Sequence, residues 1–173
     1  MSPAKRRETV LLAAWADGGG RLHQGSGGNG GNGSSSFAQL GATGQIWVNN
    51  GTITTNAASS SLSMNGTWTN NGTIQATTGT LSLANALSNF GTLRANGGTL
   101  TLGGTWSSIG NITVSGGTLN LGGSFSTPSV NDPGRFTRTG GTVNVTGTIT
   151  NTGTTLTLNS ASGIGTINFN AGT

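Results

Sequence analysis

The side chains that could perform acid–base or metal chemistry are few in this chain, and they lie far apart. Its 173 residues include one histidine, three carboxylates and no cysteine. His23 lies in a stretch of Gly, Asn and Ser, where we expect a solvated side chain without a role. Asp132 is the one carboxylate in the repeated part of the chain, so the sequence offers neither paired carboxylates for glycoside hydrolysis nor three or four metal ligands. From the sequence we therefore expect a protein that is not an enzyme and that has neither a metal site nor a cofactor.

The formal net charge of +4 reflects a scarcity of charge, since seven Lys and Arg stand against three Asp and Glu. Binding of nucleic acid requires a dense patch of phosphate contacts. The repeated part of the chain has three basic residues, Arg94, Arg135 and Arg138, and these do not form such a patch in the sequence. We therefore expect neither nucleic acid as a partner nor insertion of this chain into a membrane.

Opposite charges collect in one place, where Asp132, Arg135 and Arg138 share a long insertion and its exit. The alternation after Phe136 would point Arg138 inward, and a buried, unpaired guanidinium is costly. Either a bulge therefore turns Arg138 outward or Asp132 pairs with it. The cluster has two interpretations: a contact for an anionic ligand or a sugar, and a local ion pair that holds the loop. We favour the ion pair.

An internal repeat determines the elements that must position these side chains. The segment from Gly91 to Trp106 is followed 19 residues later by a similar one that starts at Gly110. Three sets of apolar residues recur at fixed places within the repeats. The repeats begin at Gly51, Gly72, Gly91, Gly110, Gly134 and Gly153. The first apolar set is Ile53, Ile74, Leu93, Ile112 and Phe136; the second is Leu62/Met64, Leu81/Leu83, Leu100/Leu102, Leu119/Leu121 and Val143/Val145; the third is Trp47, Trp68, Leu87, Trp106, Phe125 and Ile149.

Alternating apolar and polar residues between Gly or Asn predict β-strands of about four residues. Such short strands bury little alone, but stacking each repeat on the next would form a continuous interior. The sequence therefore predicts an all-β fold, a single-stranded parallel β-solenoid of about six coils of roughly 19 residues, with right-handed winding as the expected sense. Each coil would add roughly 4.8 Å. An antiparallel sandwich or barrel is the alternative.

A short polar residue stands two positions before each of the repeat glycines. Stacked Asn side chains could form hydrogen bonds from coil to coil, or they could serve only as turn residues. Two insertions, at residues 57–61 and 126–133, are expected to leave the stack as loops at a bend. The polar column consists of Asn49, Asn70, Asn89, Ser108, Asp132 and Asn151.

The outward positions of one strand in each repeat predict a column of hydroxyl groups. Regular Thr ladders resemble those of ice-binding β-solenoids, but Thr is also what an exposed β-face prefers. Beside this column runs a second one, which contains Thr101 and then changes to Asn. The Thr column consists of Thr80, Thr99, Thr118, Thr142 and Thr166.

The chain divides into three parts. Residues 1–17 predict a short helix with Ser2 as its N-cap, or a degenerate secretory signal. Residues 18–43 form a Gly/Ser/Asn-rich linker that leads into the first coil. Residues 44–173 hold the solenoid, whose last coil is incomplete. Because an open end would expose unpaired backbone and invite end-to-end association, we expect a piece of a longer array or a truncated reading frame.

The Gly-Thr-Leu-x-Leu and Asn-Gly-Thr-Ile units over about residues 44–173 resemble the repeats of bacterial autotransporter passenger domains and filamentous-haemagglutinin-like adhesins. This resemblance implies an exported β-helical stalk at the cell surface or outside the cell, which holds binding loops away from the cell. It implies weak contacts with a host or matrix glycan or a surface protein, and it carries over no catalytic residue. Two alternatives remain: an ice-binding module, and the remnant of a polysaccharide-degrading β-helix enzyme that depends on Asp132.

Overall fold

The computed structural model describes residues 37–56, 58–157 and 168–169. Within these residues the fold is all-β, with one short 3-10 turn at Thr127–Ser129. The predicted helix at residues 1–17 and most of the predicted linker lie outside the described residues, as does Thr166. The strands in chain order are β1 (Phe37–Leu40), β2 (Ile46–Asn49), β3 (Thr52–Thr55), β4 (Ser61–Met64), β5 (Thr67–Asn70), β6 (Thr73–Ala76), β7 (Thr80–Leu83), β8 (Leu87–Asn89), β9 (Thr92–Ala95), β10 (Thr99–Leu102), β11 (Trp106–Ser108), β12 (Asn111–Leu121), β13 (Ser124–Ser126), β14 (Phe136–Val145), β15 (Thr148–Thr150) and β16 (Asn168–Phe169).

The strands form three stacks, and every strand pairing among the described residues is parallel. The first stack runs β3, β6, β9, the first half of β12 and the start of β14. The second runs β1, β4, β7, β10, the second half of β12, the end of β14 and β16. The third contains β2, β5, β8 and β11, and a single bridge leads on to β13 and β15. This arrangement is consistent with a parallel β-solenoid and differs from an antiparallel sandwich.

The apolar columns expected from the repeat are present, because in-register pairing puts like residues above one another. In the first stack Ile74 pairs with Leu93, which pairs with Ile112, and all three are buried. In the second stack Leu81 and Leu100 are fully buried neighbours. The core is therefore one continuous interior that is built from the same positions of successive repeats.

Large side chains of the third stack fill the interior by stacking along it. The rings of Trp47 and Trp68 lie 5.7 Å apart, and those of Trp106 and Phe125 lie 4.5 Å apart, both pairs in nearly parallel planes. Leu87 separates the two pairs, since it is in register with both Trp68 and Trp106. Such stacked rings add stabilisation beyond the area that they bury.

The longer insertion does not simply leave the stack as a loop, which corrects the expectation from the sequence. Thr127, Ser129 and Val130 are all buried, and Val130 belongs to the core, while Pro128 remains exposed. The backbone N–H groups of Val130 and Asn131 both donate to the carbonyl oxygen of Thr127. The insertion therefore packs against β11 in the third stack, because it carries an apolar residue and two hydroxyls that can be buried there.

Candidate functional site

A ladder of buried amides runs inside the stack, at the bend that follows each strand of the third stack. Asn49 Nδ2 donates to Asn70 Oδ1 at 2.7 Å, Asn70 Nδ2 donates to Asn89 Oδ1 at 2.7 Å, and Asn89 Nδ2 donates to Ser108 Oγ at 2.9 Å. The same amides also donate to backbone carbonyl oxygens of the next repeat, for example Asn70 to Thr92 at 3.2 Å. All four side chains are buried. Their polar atoms are thus engaged in holding one repeat to the next.

Asp132 does not continue this ladder, although the spacing predicts it there. Thr127 takes the next place, since the bridge between Thr105 and Ser124 sets it level with Ser108, and Ser129 Oγ accepts a hydrogen bond from the backbone N–H of Ser108 at 3.3 Å. Thr127 Oγ1 donates to Asn151 Oδ1 at 2.9 Å, so Asn151 meets a hydroxyl rather than a carboxylate. The folded insertion supplies these hydroxyls, and a buried carboxylate is avoided.

The charged cluster is divided into two separate interactions. Arg135 Nε lies 3.3 Å from Asp132 Oδ2, with both side chains about half exposed, and Asp132 Oδ1 accepts the N–H of Gly134 at 2.9 Å. Arg138 is in register with buried Val114 but is only partly buried, and it donates from Nε and Nη2 to the carbonyl oxygen of Gly141 at 3.1 and 2.8 Å. The pairing becomes irregular directly after Arg138. Asp132 and Arg135 thus form an ion pair within the loop, apart from Arg138.

We expect Asp132→Asn to change the free energy of unfolding by less than about 1 kcal/mol, because exposed ion pairs contribute little. The side-chain carbonyl oxygen of Asn can still accept the N–H of Gly134, so the turn is kept. Urea unfolding at low and at high salt measures the change, which should shrink further in high salt. A loss of more than about 2 kcal/mol would show that this pair anchors the folded insertion.

The Thr column lies in register along the second stack. Thr80 pairs with Thr99, Thr99 with Thr118, and Thr118 with Thr142. Beside it, Asn120 Nδ2 donates to Thr101 Oγ1 at 3.1 Å, and Asn144 Nδ2 donates to Asn120 Oδ1 at 2.8 Å. The second column therefore satisfies part of its own hydrogen-bonding capacity from strand to strand.

An open groove on the outer side of the first stack is a feature that the sequence did not reveal. It has a volume of about 280 Å³. Arg94 on β9 is in register with Thr113 on β12, and Thr113 is in register with Thr137 on β14. The sequence held one sign of this site: Arg94 puts a charge at an outward position where the preceding repeat has the neutral Gln75. The lining residues are Thr92, Arg94, Asn111, Thr113, Val114, Ser115, Thr137 and Thr139.

Apolar side chains also interrupt the polar surface at one corner. Phe90 and Ile109 are both more than half exposed. They occupy the position at which earlier repeats carry Asn50 and Asn71, whose exposed amides form a hydrogen bond of 2.9 Å. The exposed corner of the stack thus changes from polar to apolar between the second and third repeat glycines.

Among residues 37–56, 58–157 and 168–169, no three His, Cys, Asp or Glu side chains gather in a way that could hold a metal ion. In the same part of the chain no helix is long and apolar enough to cross a membrane.

Comparison of the chain with protein-family models, with curated proteins and with solved structures gives no significant match. Its function therefore has to be inferred from its own residues and geometry.

Proposed function

We propose that this chain is a non-enzymatic structural segment of a bacterial surface or secreted protein of the adhesin-like, autotransporter-like kind. The observation that carries the proposal is the buried amide ladder together with the in-register apolar columns. Both features connect each repeat to the next, so they suit a part whose task is to hold a shape along one direction. The recurrence of buried polar groups that join successive repeats is compatible with a stalk.

The fold that we propose for this stalk is a single-stranded β-solenoid with right-handed winding. It has about six coils of roughly 19 residues, and each coil adds roughly 4.8 Å along the axis. A short helix and a linker precede it. Parallel strands that are left uncovered at an end of such a stack present unpaired backbone groups, which favour end-to-end association with another copy.

The partners that we propose are a host or matrix glycan or a surface protein, met outside the cell or at its surface. The outward positions of the strands are rich in hydroxyl and amide groups, such as Thr99, Thr118 and Asn144. These groups form individually weak hydrogen bonds with a polar partner. Many copies on one surface would make such contacts effective through avidity.

Adhesion of beads coated with the full chain tests this function. We expect the beads to adhere weakly to surfaces that carry matrix glycans or matrix proteins, and we expect no turnover of any polysaccharide. Beads coated with chain that has been unfolded by heat serve as the control. Release of sugar products, or equal adhesion of folded and unfolded chain, would contradict the proposal.

Ice binding is a second candidate, and the in-register Thr column from Thr80 to Thr142 is the observation that favours it. If this face binds ice, the chain should produce thermal hysteresis and Thr99→Tyr should remove most of it, because a bulky ring breaks the regular spacing of hydroxyls. Thr67→Tyr, on the exposed outer side of β5, is the matched control and should keep the activity. Absence of hysteresis in the unmodified chain would eliminate this candidate.

A further inference from the structure

The groove on the first stack contains two hydrogen-bond donors that the described part of the chain does not satisfy. Arg94 is partly buried in the wall of the groove, and no described residue forms a hydrogen bond or an ion pair with its guanidinium. The Thr113 hydroxyl is covered from solvent and also lacks a hydrogen-bond partner among the described residues. The two residues are direct neighbours in register, so their side chains lie roughly 4.8 Å apart along the stack.

A covered hydroxyl without a partner, such as that of Thr113, is uncommon, because burying an unsatisfied polar group costs free energy. A guanidinium carries five N–H donors in a flat fork that matches the two oxygens of a carboxylate or the oxygens of a sulfate. Arg94 is the in-register neighbour of Thr113, and no described residue holds its guanidinium, so we expect this side chain to move when a ligand enters and to give the ligand access to the Thr113 hydroxyl. An anionic group in the groove would then accept hydrogen bonds from both Arg94 and Thr113.

We propose that this groove binds an anionic group, a carboxylate or a sulfate, of an acidic polysaccharide. The rest of the lining suits the neutral part of such a ligand, since hydroxyls of Thr92, Thr137 and Thr139 can bond to sugar hydroxyls. The inference deepens the proposed surface function by naming a ligand class and a site, and it rests on that function for its setting outside the cell.

The low density of positive charge in the groove favours a polysaccharide over a nucleic acid as the ligand. A nucleic acid presents a phosphate at every nucleotide and is bound through several cationic side chains at once. Among the residues that the structure describes, Arg94 is the one cationic side chain in the lining of the groove, and it lies among hydroxyl and amide groups. A polymer whose charges are spaced by neutral, hydroxylated rings fits this composition better.

Binding of two acidic polymers to the full 173-residue chain tests the site, with dextran sulfate and polygalacturonate as probes. Unmodified dextran and fully methyl-esterified polygalacturonate provide neutral controls with the same sugars. We expect binding of at least one acidic polymer and neither neutral one. Arg94→Gln should weaken this binding about tenfold or more, because charge-assisted hydrogen bonds are lost. Binding of one acidic polymer alone supports the site and identifies the anionic group that it prefers.

Arg135→Gln is the matched control, since it removes the same charge from a residue outside the groove that is held by Asp132. We expect its affinity to stay within about twofold of the unmodified chain, because the groove is unchanged and only the long-range field is reduced. Equal weakening by Arg94→Gln and Arg135→Gln would reveal a general charge effect and would overturn the proposal. Failure of both acidic polymers to bind would overturn it as well.

A second measurement locates the contact. On addition of the polymer that binds, we expect the NMR signals of Thr113 and Thr137 to move more than those of Thr67 on the third stack. Shifts confined to another surface would overturn the groove as the site. Such a result would leave the proposed stalk intact, because that proposal is tested by adhesion of the folded chain and by the absence of turnover.

Discussion

Replacing Asn70 with leucine is expected to lower the free energy of unfolding by about 3 kcal/mol, because several buried groups lose their partners together. Asn70 is fully buried between Asn49 and Asn89 and bonds to both at 2.7 Å. The substitution leaves the Asn89 carbonyl oxygen without this donor and takes one acceptor from the Asn49 amide. Leucine has a similar size, so the loss would come from unsatisfied polar groups rather than from a cavity.

Asn71→Leu is the matched control, since it changes the same residue type one position later on the exposed side of the bend. The Asn71 amide also bonds to the preceding repeat, to Asn50 Oδ1 at 2.9 Å, but in contact with water. Its loss should therefore cost less than about 0.5 kcal/mol. Urea unfolding followed by far-UV circular dichroism measures both variants. Equal effects of the two substitutions would mean that the buried ladder contributes no more than a surface contact.

Gly91→Ala is expected to destabilise the fold by about 3 kcal/mol or more, because the added Cβ would overlap the carbonyl oxygen of Gly72 in the preceding repeat. That oxygen cannot easily move aside, since it accepts the N–H of Thr92 at 2.8 Å. Gly72 and Gly110 show the same overlap with the repeat before them. Close approach of two backbones, rather than a positive φ, is thus the reason for glycine at the start of these repeats.

Gly140→Ala provides the control for this prediction. A Cβ at Gly140 would meet its nearest atoms at 3.7 Å, which is ordinary van der Waals contact. We expect a change in the free energy of unfolding of less than about 1 kcal/mol, mainly from the altered unfolded chain. Thermal unfolding compares the two alanine variants directly. A Gly91→Ala variant that unfolds at the same temperature as Gly140→Ala would contradict the close packing of successive repeats.

The apolar columns of the interior could be predicted because their residues recur at a regular spacing in the sequence. Once Leu100 and Leu119 are seen to occur at the same place of two repeats, parallel stacking puts one above the other, and no knowledge of distant contacts is needed. The same reasoning anticipated the ladder through Asn49, Asn70 and Asn89. The same reasoning used the repeat glycines only to mark where each repeat begins, because the nearness of two backbones appears only when the repeats are stacked.

The features that the sequence did not predict are those that depend on interruptions of the period. The insertion buries Thr127, Ser129 and Val130, and its two hydroxyls stand where a carboxylate was expected in the ladder. Spacing alone assigned that place to Asp132. The groove was also missed, because Arg94 and Thr113 lie 19 residues apart and the outward charge of Arg94 does not by itself indicate a groove. That neither side chain has a hydrogen-bond partner within the described part of the chain becomes visible only in three dimensions.

The central claim is that residues at equivalent places of successive repeats lie one strand spacing apart in a parallel stack. Gln39, Ser63, Ser82, Thr101, Asn120 and Asn144 form one such outward column. Because the chain has no cysteine, pairs of spin labels can be attached to cysteines introduced at chosen positions. Distances between the labels can then be measured by pulsed electron paramagnetic resonance.

Labels at Gln39 and Asn144 are separated by five strand spacings, which is roughly 24 Å between backbones. Moving the first label from Gln39 to Ser63 removes one spacing and should shorten the distance by roughly 5 Å, with the distribution remaining narrow. Stepwise shortening of this kind is the result that a parallel stack predicts. A broad distribution, or a distance that fails to change by one spacing, would contradict the stacked arrangement and the stalk function that depends on it.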